Sequence, residues 1–146
     1  MFWYGGEPAK ERRHTFLMAQ ESDAQELTAQ ALPDGFSIIP LPGHALDMVG
    51  FRTPEGTVYL ADCLSSRETL DKYGIVFLYD VAAYLETLSM VKGLSANLFV
   101  PAHAPASEDL GALAQYNIAK VTELGERTEA VCGATRCCGS LLCRLC

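Results

Sequence analysis

Residues 36–64, FSIIPLPGHALDMVGFRTPEGTVYLADCL, decide the fold. Three short runs rich in Val, Ile, Phe and Tyr, at residues 36–40, 48–53 and 57–61, predict three β-strands. Pro54-Glu55-Gly56 separates the second run from the third, which predicts a hairpin closed by a glycine-containing loop. Two polar side chains stand just beyond strand ends. His44 follows the first strand in Leu41-Pro42-Gly43-His44, and Asp62 follows the third. Gly43 lets the backbone pass close to a neighbouring group, and Pro42 stiffens the approach.

Downstream, Asp80 is placed to cap a helix whose apolar residues Val81, Tyr84, Leu85, Leu88 and Val91 recur at helical spacing. Gly93 ends it, where helices often turn left-handed. Residues 97–100 predict a fourth, buried strand ending at Pro101, with His103 just past it. Ser107, followed by Glu108 and Asp109, predicts the start of a last helix carrying Leu110, Leu113, Val121 and Leu124. Upstream, Ser22 and Gln25 have capping-box spacing, which predicts a helix over residues 23–32 stopped by Pro33-Asp34-Gly35. A further short helix over residues 10–20 is read from the same region. The order is helix, three strands, helix, strand, helix, so the class is α/β or mixed α+β layers, not a bundle or a helix-free sandwich. The connecting segment 64–79, LSSRETLDKYGIVFLY, holds Tyr73, Phe77 and Tyr79. Two readings of it stand: lining for a substrate pocket, or core packing.

The chain has 146 residues, which suits one domain. Hydrophobic residues make up 49% and charged residues 20%, which excludes the intrinsically disordered class. The 11 Lys and Arg against 18 Asp and Glu leave a net charge of −7. Nucleic acid is excluded as a partner on this ground, because its binding rests on neutralising phosphates with Lys and Arg. No apolar run is long enough to span a membrane, and the amino end has no secretory pattern, so a cytoplasmic location is expected. Five of the six cysteines (Cys132, Cys137, Cys138, Cys143, Cys146) crowd the last fifteen residues, and only Cys63 lies in the body. A disulfide framework would spread its cysteines along the chain, so the body is read as reduced.

His44, Asp62 and His103 are two imidazoles and one carboxylate, ligand types that suit zinc or another divalent first-row metal. Each also has a plainer reading: a solvated or hydrogen-bonded histidine, an aspartate that caps the next turn. Taken together, LPGHALDMVGF (41–51), VYLADCL (58–64) and LFVPAHA (98–104) resemble the second half of the metallo-β-lactamase superfamily, over roughly residues 36–127. Among its subgroups the chain is most similar to small metallohydrolases related to glyoxalase II.

The resemblance implies that His44 binds a first metal, Asp62 bridges two metals and His103 binds the second. The metals would be Zn²⁺, one or two ions, or Fe or Mn. It implies hydrolysis of esters or thioesters of a small-molecule substrate by metal-bound hydroxide, and leaves further catalytic residues unassigned. Ala102 stands where a glycine often precedes the last histidine, and no second Pro-Gly-His follows His44. The family's first-half His-x-His-x-Asp-His string is absent, and the remaining histidine, His14, has no partner at that spacing. The sequence therefore predicts weak zinc binding and little hydrolysis. The parent fold is an αββα sandwich. A chain holding its second half would leave one sheet face open, to be covered by self-association, by a partner chain or by residues 1–32.

The domain reading is a partly helical lead-in over 1–32, the half-domain over 33–131, and a cysteine-rich tail over 132–146 that is expected to be disordered. Cys137, Cys138, Cys143 and Cys146 also admit a Cys₄ zinc cluster, at cramped spacing. Three classes of function stand: a metal-dependent hydrolase, a catalytically inactive remnant or assembly subunit that keeps the fold, and a small redox or metal-binding protein acting through the tail.

Overall fold

Alternating hydrophobicity folds the sequence 36–64 into a sheet, and a computed structural model describes residues 26–134 of the chain. The sheet strands are β1 (Ser37–Pro40), β2 (Val49–Arg52), β3 (Thr57–Ser65) and β4 (Leu98–His103), and the helices are α1 (Arg67–Tyr73), α2 (Val81–Lys92) and α3 (Gly111–Ala134). The strand order is β1-β2-β3-β4. The first two pairings are antiparallel, and β3 pairs with β4 in parallel across the crossover through α1 and α2. The architecture is the predicted mixed α/β layer, a four-stranded mixed sheet flanked by helices.

The predicted hairpin forms. Gly56 adopts φ +84°, which a side chain would disfavour, and its N–H donates to the Thr53 carbonyl at 3.0 Å. Along β3, Val58 and Leu60 point into the core while Tyr59 between them is half exposed, the period-two pattern of a half-buried strand. The strand runs to Ser65, four residues further than the sequence predicts. Its pairing with β4 resumes beyond an irregularity at Ala61, where Ser65 faces His103.

One face of the sheet is covered by α2 and α3. Leu41, Val58, Leu60, Leu64 and Phe99 meet Tyr84, Leu88, Val91, Leu110 and Val121 in one core. Each fully buried aliphatic side chain contributes about 1.5–3 kcal/mol. The other face carries Val49, Phe51, Tyr59 and Val100, which line an open apolar depression of about 260 Å³.

Several boundaries differ from the sequence reading. Of the helix predicted over 23–32, the described part holds only a 3₁₀ turn at Ala29–Ala31 with no buried residue to anchor it, and short helices without tertiary burial are marginal. The rest of that prediction, the helix over 10–20, His14 and the four last cysteines lie outside the described residues. Asp80 caps α2 as predicted, accepting the Ala83 N–H at 3.0 Å. Gly93 follows it but stays right-handed (φ −94°, ψ −1°), its N–H donating to the Met90 carbonyl at 3.0 Å and the Leu94 N–H to the Val91 carbonyl at 3.1 Å in a tightened last turn. The last helix begins at Gly111, not at Ser107. Ser107 exchanges two backbone hydrogen bonds with Phe99 (2.8 and 3.0 Å) and so extends the sheet edge, while Asp109 accepts the Gly111 N–H at 2.8 Å.

Helix α1 is absent from the sequence reading, although Ser66 caps it by accepting the Thr69 N–H and Gly74 closes it at φ +79°. Its one buried residue, Leu70, sets no apolar period. It is held on α3 by a polar clasp. The Arg67 guanidinium lies 4.2 Å over the Tyr116 ring, and Asp71 takes the Tyr116 hydroxyl and pairs with Lys120 at 3.1 Å. The Tyr116 hydroxyl first, and then Lys120, hold the Asp71 carboxyl below the usual carboxylate range. Tyr73, Phe77 and Tyr79 are exposed, which overturns the core-packing reading of these aromatics, while Leu64 and Leu70 of the same segment are buried. Among the described residues no helix is long and apolar enough to cross a membrane.

Candidate functional site

Three loops and strand ends meet at one edge of the sheet. The loop between β1 and β2 brings His44, and its hydrogen bonds fix it from several sides. Leu41 donates to the Met48 carbonyl at 2.8 Å, the Gly43 carbonyl accepts the N–H groups of Tyr79 and Asp80 (2.8 and 3.0 Å), and the Thr87 hydroxyl donates to the Pro42 carbonyl at 2.7 Å. Gly43 adopts φ +121°, and a Cβ there would lie 2.4 Å from the backbone nitrogen and Cα of Tyr84. Only glycine lets this loop lie flat on α2. The His44 side chain is 19% exposed and meets the Phe77 ring edge-on, with centroids 6.0 Å apart. Its Nδ1 is buried and has no hydrogen-bond partner.

Asp62 follows Ala61, the one described non-glycine residue with positive φ (+46°). A left-handed alanine is strained by about 1–2 kcal/mol. Here it falls at the irregularity in β3 immediately before the carboxylate. His103 ends β4, and its carbonyl accepts the Ser66 N–H at 2.8 Å, which ties it to the start of α1.

The three side chains converge. His44 Nε2 lies 3.6 Å from Asp62 Oδ2, and His103 Nε2 lies 3.3 Å from Asp62 Oδ1. Each imidazole therefore addresses a different oxygen of one carboxylate. Asp62 is 40% exposed and His103 58%, so the site opens to solvent on the His103 side.

A side chain not singled out in the sequence supports this edge from behind. Asn117 of α3, 1% exposed, accepts the Ser65 N–H at 3.0 Å and donates to the Ser65 carbonyl at 2.9 Å. It also accepts the Tyr84 hydroxyl at 3.4 Å. Its signal was present: Leu110, Ala114, Asn117 and Val121 lie on one buried helical face, and a lone amide on an apolar face needs partners. Cys63, next to Asp62, is buried, and burial first, then the Asp62 charge, pushes its thiol up to about 12. It stays protonated at neutral pH and adds no thiolate to the site. Native protein treated with iodoacetamide at pH 8 should leave the Cys63 peptide unmodified by mass spectrometry, with modification appearing only in denaturant.

The mixed sheet with its flanking helices superposes on a metallo-beta-lactamase family protein from Thermus thermophilus with a TM-score of 0.53, at 19% identity over 68% of this chain. The chain has a metallo-β-lactamase fold. It spans 37% of the length of the Thermus protein. A metallo-beta-lactamase from Pontibacter korlensis is similar at 13% identity, with a TM-score of 0.48, over 60% of this chain and 41% of that one. No protein-family model and no curated protein matches the sequence.

On this metallo-β-lactamase fold, His44 lies in the loop between β1 and β2, Asp62 lies inside β3 just past the irregularity at Ala61, and His103 ends β4. Both His–Asp separations exceed the 2.7–2.9 Å of a charge-assisted N–H···O bond. Two imidazoles and a carboxylate are nonetheless donor types that could hold a divalent metal. The three donors do not close around a single point: among the described residues, no group of three or more His, Cys, Asp and Glu side chains is arranged to hold one ion.

Proposed function

We propose that His44, Asp62 and His103 hold one or two divalent metal ions, zinc first among them, and that the chain is a metal-dependent hydrolase of ester or thioester bonds. The observation that carries this reading is the pair of imidazoles on opposite oxygens of Asp62, at 3.6 and 3.3 Å. With each imidazole on its own oxygen, Asp62 would be placed to hold metal together with either histidine. When bound, a divalent metal supplies Lewis acidity and lowers the pKa of a coordinated water to about 7. The chain's own residues supply position. Gly43 seats the His44 loop on α2, the left-handed Ala61 turns the backbone just ahead of Asp62, and the Ser66 N–H and Asn117 hold the β3–β4 end on which His103 stands. Substrate would approach from the exposed His103 side.

Hydrolysis of 4-nitrophenyl acetate and of a simple alkyl thioester, with Zn²⁺ or Mn²⁺ added, tests the reading. Asp62→Ala should lower the metal-dependent rate tenfold or more, and an equal rate in the variant would overturn it. A second reading keeps the fold without the chemistry. It is favoured by the donor count, since a hydrolytic zinc usually takes three protein ligands and Asp62 is here shared between two histidines. Metal uptake without turnover would select that reading.

A further inference from the structure

We propose that the loop between α1 and α2, with Phe77 at its centre, binds the apolar acyl part of the substrate and so sets which esters or thioesters are preferred; this rests on the hydrolase reading. Residues 74–79, GIVFLY, carry no charged side chain in a chain of net charge −7. Ile75, Phe77 and Tyr79, with Tyr73 just before them, are exposed large side chains within seven residues. Exposed apolar residues on a soluble protein are ordinarily scattered singly, and a cluster beside a polar site marks a binding surface.

This cluster adjoins the candidate site directly. Phe77, half exposed, packs its ring at 83° to the His44 imidazole, whose Nε2 reaches Asp62. The loop is also fixed in place. Its end donates the Tyr79 and Asp80 N–H groups to the Gly43 carbonyl, so the aromatic surface and the histidine are carried on one hydrogen-bonded unit. An uncharged aryl or alkyl group resting on Phe77 and Tyr79 would bring its carbonyl up beside the His44–Asp62 contact. In the reaction served, the oxygen of water bonds to the acyl carbon, the acyl–oxygen or acyl–sulfur bond breaks, and the alcohol or thiol leaves with the proton. The apolar depression on the sheet is the rival surface, but it borders the site only through Ala61 and Ala102. The aromatic ring that meets His44 is Phe77, which lies outside that depression.

The test compares 4-nitrophenyl phenylacetate with 4-nitrophenyl acetate on the full chain. Phe77→Ala should lower the ratio of kcat/KM for the two esters about tenfold, chiefly through KM for the phenylacetate, and Phe77→Leu should restore part of it. Tyr59→Ser, in the rival depression, should leave the ratio at its wild-type value. An unmoved ratio in Phe77→Ala, or a fall confined to Tyr59→Ser, would overturn the proposal. A binding measurement separates this failure from that of the hydrolase reading. Phenylacetate titrated into the protein should shift the NMR signals of Phe77, Tyr79 and His44, and Phe77→Ala should abolish the shifts. Shifts without turnover would keep the docking surface and sink the hydrolase; no shifts at millimolar phenylacetate would sink the docking surface.

Discussion

Asn117→Leu should cost the folded chain about 3–5 kcal/mol, because two buried backbone groups lose their partners at once and each unsatisfied group costs about 1–3 kcal/mol. Leucine branches at the same carbon as asparagine and is no smaller, so the loss cannot be assigned to a cavity. The Ser65 N–H and carbonyl would face a hydrocarbon side chain, and the Tyr84 hydroxyl would lose its acceptor. Urea denaturation followed by circular dichroism measures the effect, and a loss below about 0.5 kcal/mol would show that the amide is not the clamp described. The damage should reach the site as well. Ser65 lies opposite His103 in the β3–β4 register, so a released Ser65 frees the strand end that carries the imidazole.

Gly43→Ala should destabilise the chain by about 2–4 kcal/mol, combining an unfavourable left-handed backbone with overpacking against the main chain of α2. The new methyl would lie 2.4 Å from Tyr84 Cα and nitrogen, atoms that cannot swing aside as a flexible side chain does. Gly74→Ala is the matched control. Its φ of +79° imposes a backbone penalty, but nothing lies within 4 Å of the added methyl, so its cost should stay near 1–2 kcal/mol, roughly the backbone strain alone. Thermal unfolding of the two variants side by side separates steric from conformational cost. Equal losses would mean that the His44 loop does not press on α2. Gly43→Ala should also weaken zinc uptake, since the loop must lift from α2 and take His44 with it.

What the sequence made legible follows from which forces are local. The strands of 36–64, the Asp80 cap and the amphipathic face of α2 were readable because alternation, turn chemistry and helical period lie within a few residues of one another. The positions of His44 after the first strand and of His103 at the end of the fourth were readable for the same reason, whereas Asp62, read as just past its strand, lies inside β3, which runs on to Ser65. Their convergence was not, because it depends on the parallel pairing of β3 with β4 across more than thirty intervening residues. The start of α3 is misplaced by local pattern because Ser107 has the chemistry of a cap but is recruited by Phe99 into the sheet, a contact no nearby residue announces. Helix α1 escapes the same reading because it is held by one leucine and a polar clasp to Tyr116 and Lys120, which carry no periodic signal. Asn117 escapes it for a related reason: its partners lie on β3 and α2, fifty-two and thirty-three residues away.

If two histidines and the aspartate between them share metal, the three histidine rings of the chain will report it. Zinc titrated into protein with ¹⁵N-labelled histidine, followed by ring NMR, should move the His44 and His103 signals together while His14 stays in place, and Asp62→Ala should remove both movements. Histidine signals that remain fixed at every zinc concentration, while metal is taken up by the cysteines of the tail, would contradict it.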